Sequence, residues 1–208
     1  ISFKTINEIE KIKEYNPDYI VICNETSKHL RYLKYIESNF KNKYILIEKP
    51  VFEKFFDTKI VKNKVFVGYN LRFHPLLQIL KENIKNRKIW SVQIICGSYL
   101  PSWRKNIDYR KSYSSKKNGG GVILDLSHEL DYAVWLFGNL KPKFVINKKI
   151  SDLNIQSDDY LSLFCQNEKK TNLQINLNYF MKNSIRKILV DGKNISISLD
   201  LIKNILSV

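Results

Sequence analysis

Glu48-Lys49-Pro50 is a group of residues whose types and position could do acid–base chemistry. It directly follows the apolar run 44–47, which predicts a buried strand, and ligands of open α/β sheets bind beyond the carboxyl ends of such strands. Pro50 favours an extended backbone at Lys49, which directs the ammonium group off the strand end. A lysine held there could hydrogen-bond a substrate hydroxyl and exchange a proton with it. The alternative is an ordinary surface lysine in a lysine-rich chain.

Asp125, His128 and Asp131 form a second candidate group, because residues three apart lie on one face of a helix. The residues around them are apolar and predict a largely buried helix over 122–137. A carboxylate–imidazole–carboxylate stripe on such a helix could orient His128 for general acid–base catalysis. The alternative is a buried polar network whose groups satisfy one another.

Two polar turns follow predicted strands at the edge where ligands bind. In the turn 24–29, Asn24 and His29 could face a ligand, although Thr26 or Ser27 could simply cap the next helix. In the turn 70–75, Arg72 is one of only 6 arginines in the chain. The alternative for this second turn is a helix start before Pro75.

The long polar and aromatic loop 99–118 carries a further set of candidate ligand-binding residues. Trp103 and Arg104 lie near its start, and Tyr109 and Tyr113 follow. Arginines beside aromatic rings could grip a polar ligand or a phosphate. A loop of this length is usually functional or disordered, and the aromatic residues argue for order. The alternative is an ordered loop that packs on its own domain.

The elements that position these residues follow from the pattern of apolar residues. Up to residue 70 the pattern predicts helices and short buried parallel strands, with a βαβ unit among them. The predicted elements are a helix over 5–16, a strand over 19–23, a helix over 28–39, a strand over 44–47, a helix over 53–62 and a strand over 65–69.

The pattern changes after residue 70, where strand follows strand and an antiparallel sheet is predicted. The elements are helices over 75–86 and 122–137, and strands over 89–98, 143–150, 159–166, 171–180, 185–191 and 194–200. The predicted fold class is therefore α/β, the C-terminal part of a Rossmann-type doubly wound domain over 1–70. An α+β domain with a mostly antiparallel open sheet follows over 71–208.

Composition narrows the class of protein. The 208 residues carry 35 Lys and Arg against 20 Asp and Glu, a net charge of +15, but 29 of the basic residues are lysine. Because nucleic-acid binders typically rely on arginine, we predict no specific nucleic-acid partner. No uncharged apolar run approaches the ~18 residues of a membrane span, and no leader is visible, so we expect no membrane association.

Metal binding and disulfides are also not predicted. The chain has 3 histidines and 3 cysteines, without a CxxC or a Cys/His cluster. An odd and sparse cysteine count is typical of reduced thiols in a cytoplasmic protein. Gly119-Gly120-Gly121 precedes a predicted helix but follows a polar loop, so it is a poor candidate for a phosphate-binding loop.

The order and spacing of these motifs resemble the glucose-fructose oxidoreductase / inositol dehydrogenase / MocA family, from about residue 15 to 200. The matching motifs are the Asn24…His29 turn, Glu48-Lys49-Pro50, Gly68-Tyr69-Asn70-x-Arg72-Phe73-x-Pro75, Tyr99-Leu100-Pro101-x-Trp103-Arg104, Asp108-Tyr109-Arg110 and Gly119-Gly120-Gly121…Asp125-x-x-His128-x-x-Asp131.

The resemblance implies a dehydrogenase that transfers a hydride between NAD or NADP and a hydroxyl or oxo carbon of a sugar, cyclitol or nucleotide-linked sugar. It implies that Lys49 and His128 are catalytic. It also implies cofactor binding by Asn24, His29, Glu48, Lys49 and Asn70. It further implies substrate binding by Arg72, Trp103, Arg104, Tyr109, Tyr113, Asp125 and Asp131. The family's open sheet often forms the subunit interface, so we expect a homo-oligomer, a dimer or tetramer.

The sequence departs from the family's pattern in two places. In the commoner family helix the histidine follows the aspartate by four residues, whereas His128 follows Asp125 by three. The chain also contains no GxGxxG and begins with Ile1, so we expect the phosphate-binding fingerprint and the first strands to precede it. Two alternatives stay open: a non-catalytic fragment of the family, and a lysine-rich module that binds nucleic acid or anions.

Overall fold

Three short parallel strands form the first sheet in the computed structural model, which describes residues 5–208. The strands are β1 (Tyr19–Ile22), β2 (Tyr44–Ile47) and β3 (Lys64–Val67), with β2 in the middle. Helix α1 (Thr26–Asn39) connects β1 to β2, so the predicted βαβ unit is present.

One face of this sheet is buried and the other is exposed. The buried cluster consists of Ile20, Ile22, Leu33, Ile36, Phe40, Ile45 and Ile47. The opposite face exposes Tyr19, Val21, Tyr44 and Phe66. The prediction that β1 and β2 are buried strands therefore holds for one face only, because among the described residues the α1 side of the sheet is the side that is covered.

Two predicted helices of this region do not form. In place of a helix over 5–16 there is a short 3₁₀ helix, Ile9–Glu14, which buries none of its residues. The segment 53–62 is irregular. Phe55 and Val61 are 91% and 82% exposed, while Ile60 packs against the buried cluster from this irregular segment. The predicted caps Thr26 and Ser27 are also wrong, because α1 already begins at Thr26.

A seven-stranded sheet organises the rest of the chain. Its strands are β4 (Ile89–Gly97), β5 (Leu140–Lys148), β6 (Tyr160–Asn167), β7 (Asn172–Asn178), β8 (Ile185–Gly192), β9 (Ile195–Asp200) and β10 (Ile205–Ser207). Their order is β10-β9-β8-β4-β7-β6-β5, and only the neighbours β4 and β7 run parallel. The prediction of a mostly antiparallel sheet is confirmed, although β10 was not expected.

Three helices pack on one face of this sheet: α2 (Pro75–Ile84), α3 (Val122–Asp125) and α4 (Ser127–Phe137). The predicted continuous helix over 122–137 is broken at Leu126, whose φ of −98° and ψ of 29° leave the helical region. The loop 99–118 is ordered by three short 3₁₀ helices: Leu100–Ser102, Tyr109–Lys111 and Tyr113–Ser115.

The chain divides into two compact units, Ile1–Gly68 and Tyr69–Val208. That the first predicted domain binds NAD(P) and the second binds substrate and forms the oligomer stays a prediction. All three cysteines are free, with Cys96 and Cys165 buried and Cys23 exposed. Within the described residues, no helix has the length and apolar character to cross a membrane. No group of three or more potential metal-ligand side chains occurs there either.

Candidate functional site

Lys49 lies at the carboxyl end of the middle strand of the parallel sheet. The ladder continues around it, with Glu48 N donating to Ile22 O at 2.9 Å and Gly68 N donating to Ile47 O at 2.8 Å. The Lys49 side chain is half-buried, and its peptide bond to Pro50 is cis. This is the edge of a parallel sheet at which ligands bind.

Glu48 lies over Gly68, the residue that follows β3. A Cβ at Gly68 would be 3.1 Å from both carboxylate oxygens of Glu48. A larger residue at this position would therefore have to displace the Glu48 side chain, which is exposed. Glu48 therefore lies at the carboxyl end of β2, beside Lys49.

His29 occupies the interior of the first unit, where it is 1% exposed. Its Nε2 lies 3.0 Å from Asn24 O, and its Nδ1 lies 3.0 Å from Val51 O. Both ring nitrogens therefore face main-chain carbonyl oxygens inside the unit. Asn24 contacts His29 through its main-chain carbonyl, and the residue as a whole is exposed at the turn.

Arg72 and Asp131 form a bidentate ion pair in the second unit. Arg72 Nε donates to Asp131 Oδ2 at 2.8 Å, and Nη2 donates to Oδ1 at 2.6 Å. The hydrogen bonds to Asp131 raise the pKa of Arg72 above its usual value. The exposed Asn70 lies in the same 3₁₀ helix, Asn70–Phe73.

The His128 ring lies edge-on to the Tyr69 ring, with centroids 5.6 Å apart and planes at 79°. Burial raises the pKa of Tyr69, and the negative charge of Asp131 adds to that effect. Tyr69, Arg72, His128 and Asp131, here called the α4 cluster, therefore bring two of the predicted motifs together. The sequence reasoning had named three of these residues and missed Tyr69, which stands within the quoted Gly-Tyr-Asn motif.

Asp125 faces a different set of partners, because the break at Leu126 separates it from α4. Tyr179 Oη donates to Asp125 Oδ2 at 2.5 Å. Tyr179 is fully buried and Asp125 is 6% exposed. Burial, and then the charge of Asp125, raises the pKa of Tyr179 far above its usual value. Sequence reasoning missed Tyr179; its place at the end of a predicted strand was the only signal.

Three predicted residues of the long loop surround this pair. The Trp103 ring packs edge-on against Tyr179 at 5.3 Å, and its Nε1 donates to Ser98 Oγ at 2.8 Å. Burial raises the pKa of Tyr113, and the charge of Asp125 raises it further. The Arg104 guanidinium lies 5.3 Å from the centre of the Tyr113 ring. These residues, with Asp125 and Tyr179, are here called the Asp125 cluster.

Tyr109 helps to hold the loop in place. Its hydroxyl accepts a hydrogen bond from Asn154 N at 3.3 Å. Asp108 and Arg110, on either side of it, form an ion pair at 2.8 Å. The hydrogen bond thus joins Tyr109 to the segment before β6.

The Gly119-Gly120-Gly121 turn has no room for a phosphate. Asp158 caps the helix that follows, because its Oδ2 accepts from Val122 N at 2.9 Å and from Ile123 N at 3.4 Å. Gly121 has a φ of +105°, and a Cβ there would be 2.2 Å from Asp158 Oδ1. A carboxylate of this chain therefore occupies the helix N-terminus that a bound anion would use.

A buried ion pair between α4 and β8 was also not predicted from the sequence. Arg186 Nε donates to Glu129 Oε1 at 2.7 Å, and Glu129 is 0% exposed. Burial raises the pKa of Glu129, while Arg186 opposes that rise. Burial raises the pKa of the neighbouring Cys96 thiol to about 12. The signal was present, because Glu129 lies one turn before the buried Ala133 on the same helix face.

Two curated relatives identify the class of protein that this chain resembles in sequence. It is 27% identical over 147 residues to an uncharacterized oxidoreductase, YrbE, of Bacillus subtilis, covering 67% of this chain and 41% of that protein. It is 27% identical over 146 residues to an inositol 2-dehydrogenase of Rhizobium meliloti, covering 65% and 40%. The matched region is therefore about two fifths of the length of these relatives. No protein-family model matches the chain.

Solved structures share the fold. A WlbA dehydrogenase from Bordetella pertussis, in complex with NADH and UDP-GlcNAcA, has a TM-score of 0.76 at 17% identity, covering 92% of this chain and 61% of that one. The UDP-N-acetylglucosamine 3-dehydrogenase GnnA from Acidithiobacillus ferrooxidans has a TM-score of 0.73 at 17% identity, covering 98% and 63%. The predicted fold class is confirmed, and the relatives are oxidoreductases.

Proposed function

We propose, from the premise that this chain is a relative of the glucose-fructose oxidoreductase / inositol dehydrogenase / MocA oxidoreductases, that it serves an NAD(P)-dependent dehydrogenase. The reaction is hydride transfer between the nicotinamide and a hydroxyl or oxo carbon of a sugar, cyclitol or nucleotide-linked sugar. The observation that carries the proposal is the position of Lys49 at the carboxyl end of the middle strand of a parallel sheet.

The residues at this edge fit the nicotinamide end of a dinucleotide. Asn24 and Glu48 are exposed at neighbouring turns and Lys49 is half-buried beside them, so a polar group can be met from two strands. The chain contains no GxGxxG, and Asp158 fills the N-terminus of the helix after the glycine-rich turn. We therefore assign to this chain only contacts around the nicotinamide, through Asn24, Glu48 and Lys49 of the first unit. The proposed cofactor contact of Asn70, in the second unit, is a separate assignment. When bound, the cofactor supplies the hydride acceptor or donor.

Lys49 and His128 are the groups that we assign to proton transfer. Oxidation of a carbinol releases the hydroxyl proton, which needs an acceptor within hydrogen-bond reach. Lys49 suits this task by its place at the ligand edge of its sheet. His128 suits it because the Tyr69 ring and the buried helix α4 fix the imidazole. Lys49 belongs to the first unit and His128 to the second, and a separate variant tests each of them.

The α4 cluster and the Asp125 cluster supply the proposed substrate contacts. Asp131 engages Nε and Nη2 of Arg72, so Nη1 is the nitrogen that would meet a substrate hydroxyl. In the Asp125 cluster, Tyr113 is 46% exposed and so can present its hydroxyl to a ligand. Asp125, Trp103 and Arg104 then act by holding Tyr113 and the loop around it. Tyr109 orders the same loop.

The proposal is tested by titrating the chain with NADH at ~0.15 M salt, a physiological ionic strength, and following nucleotide and tryptophan fluorescence. We expect saturable binding that changes little when the salt concentration is varied. Affinity that falls steeply with salt would instead indicate an anion-binding module, because phosphate contacts release counterions. The absence of saturable binding would overturn the proposal for this chain.

Turnover tests the two proton-transfer assignments. Lys49→Ala and His128→Ala should each lower kcat for an accepted polyol by roughly 10²–10⁴. Lys59→Ala, which removes the same charge from an exposed position of the same unit, is the control for Lys49→Ala and should keep full activity. Wild-type turnover in both active-site variants would contradict the assignments.

A homo-oligomer, dimer or tetramer, is part of the proposal. The face of the large sheet opposite the helices carries the directly paired Phe144 and Phe164, and Phe144 is 58% exposed. Large exposed apolar patches often mark contacts between subunits. Light scattering coupled to size exclusion should give at least twice the 24.6 kDa chain mass, and Phe144→Glu should reduce it to the monomer value.

A further inference from the structure

The two ring nitrogens of His29 face the same kind of partner. Nε2 lies 3.0 Å from Asn24 O and Nδ1 lies 3.0 Å from Val51 O, and the residue is 1% exposed. A carbonyl oxygen accepts hydrogen bonds and cannot donate one. Neutral imidazole has a single N–H, so it can satisfy only one of the two oxygens. The other contact would then set a nitrogen lone pair against an oxygen lone pair.

We propose that His29 is an imidazolium that ties together the two turns at the ligand edge of the parallel sheet, and that it is a positioning residue for Lys49. In this form both ring nitrogens donate, and each contact becomes a charge-assisted hydrogen bond. The inference rests on the proposed function only for what Lys49 does, and not for the clamp itself.

The clamp acts on Lys49 through the chain. Val51, whose carbonyl accepts from His29, is two residues beyond Lys49 and directly follows Pro50. Asn24 belongs to the turn between β1 and α1. His29 therefore fixes the segment that leaves β2 relative to the turn that leaves β1. Ladder hydrogen bonds hold the strands up to Glu48, and His29 extends that hold past Lys49.

The position of His29 on α1 shows why an apolar residue would not do the same. The other buried positions of α1 are Leu33 and Ile36, which pack against the strands. At position 29 an apolar side chain would leave the carbonyls of Asn24 and Val51 facing it without a donor. A carbonyl held against an apolar side chain without a donor is costly, so the two turns would separate to reach water.

His74 provides an internal comparison within the same chain. Its Nδ1 accepts a hydrogen bond from Leu76 N at 3.3 Å, so that nitrogen must be without a proton. Its Nε2 lies 3.2 Å from Asn204 Oδ1 and so carries the proton. The geometry thus assigns His74 to a neutral tautomer and His29 to the doubly protonated form.

Nitrogen NMR of the ¹⁵N-histidine-labelled chain tests the protonation state directly. We expect protons on both ring nitrogens of His29, each protected from exchange, and on Nε2 alone for His74. His29→Gln and His74→Gln assign the signals. A His29 ring with one unprotonated nitrogen would overturn the proposal, and this readout does not depend on any activity of the protein.

Hydrogen exchange followed by mass spectrometry tests the positioning role. His29→Leu should speed exchange of the peptides that cover 24–28 and 48–52 by about tenfold, because each segment loses the one hydrogen bond that His29 donates to it. His29→Gln keeps one side-chain donor, so its exchange rates should lie between those of the native chain and those of His29→Leu. His74→Leu should leave the exchange of both peptides unchanged. Unchanged exchange in folded His29→Leu would contradict the clamp. If the native chain failed to bind NADH while His29→Leu still showed the faster exchange, that result would count against the proposed function alone.

Discussion

Asp131 accepts two hydrogen bonds from Arg72, at 2.8 Å from Nε and 2.6 Å from Nη2, across 59 residues of sequence. The Asp131 side chain is 9% exposed and that of Arg72 is 42% exposed. The pair therefore joins the short 3₁₀ helix before α2 to the middle of α4, one turn after His128. It holds the residues of the α4 cluster against one another.

Asp131→Asn should destabilise the protein by about 1 kcal/mol, because it replaces a bidentate charged pair that solvent partly screens. The midpoint of urea unfolding measures this effect. Arg72→Lys, which keeps the charge but cannot form the planar fork, should cost a similar amount. An unchanged midpoint in both variants would show that the pair does not stabilise the fold.

Asp125→Asn should lower the pKa of Tyr113. In the native chain burial and then the negative charge of Asp125 raise that pKa, and the variant removes only the charge. Tyr113 should therefore ionise at a lower pH than in the native protein, while burial keeps its pKa above the ordinary value. NMR titration of ¹³C-labelled tyrosine measures the shift.

Asp152→Asn is the control for that titration, because it removes an equal charge elsewhere in the same unit. It should leave the Tyr113 signal unmoved. A Tyr113 titration that is identical in wild type and Asp125→Asn would mean that the two side chains do not interact in solution.

Gly121→Ala should destabilise the protein more than Gly138→Ala. Both glycines have positive φ, +105° and +83°, so an alanine strains the backbone at either site by about 1–3 kcal/mol. At Gly121 the added Cβ would also collide with Asp158 Oδ1, whereas nothing lies within 4 Å at Gly138. Thermal unfolding of the two variants gives the comparison. Equal losses would show that Asp158 moves away without cost.

Local patterns in the sequence were enough to predict most strands and the parallel βαβ unit. The run 44–47 became β2 with the predicted bounds, because a short apolar run between polar turns has few other ways to be buried. The predicted helix over 53–62 does not form. Phe55 and Val61 remain exposed and Ile60 packs against the core without a helix, so the apolar pattern alone did not fix the local structure.

The sequence by itself also determined which residue types stand at the ligand edge and on the long helix. It could not determine which of them meet, because Arg72 and Asp131 are 59 residues apart and Asp125 and Tyr179 are 54. Such pairs depend on how helices pack against the sheet. Only the tertiary structure showed that Leu126 interrupts the helix, so that Asp125 turns to Tyr179 while Asp131 turns to Arg72. It also showed that His29 faces inward. The sequence could not predict this, because the two carbonyls that His29 contacts come from separate turns.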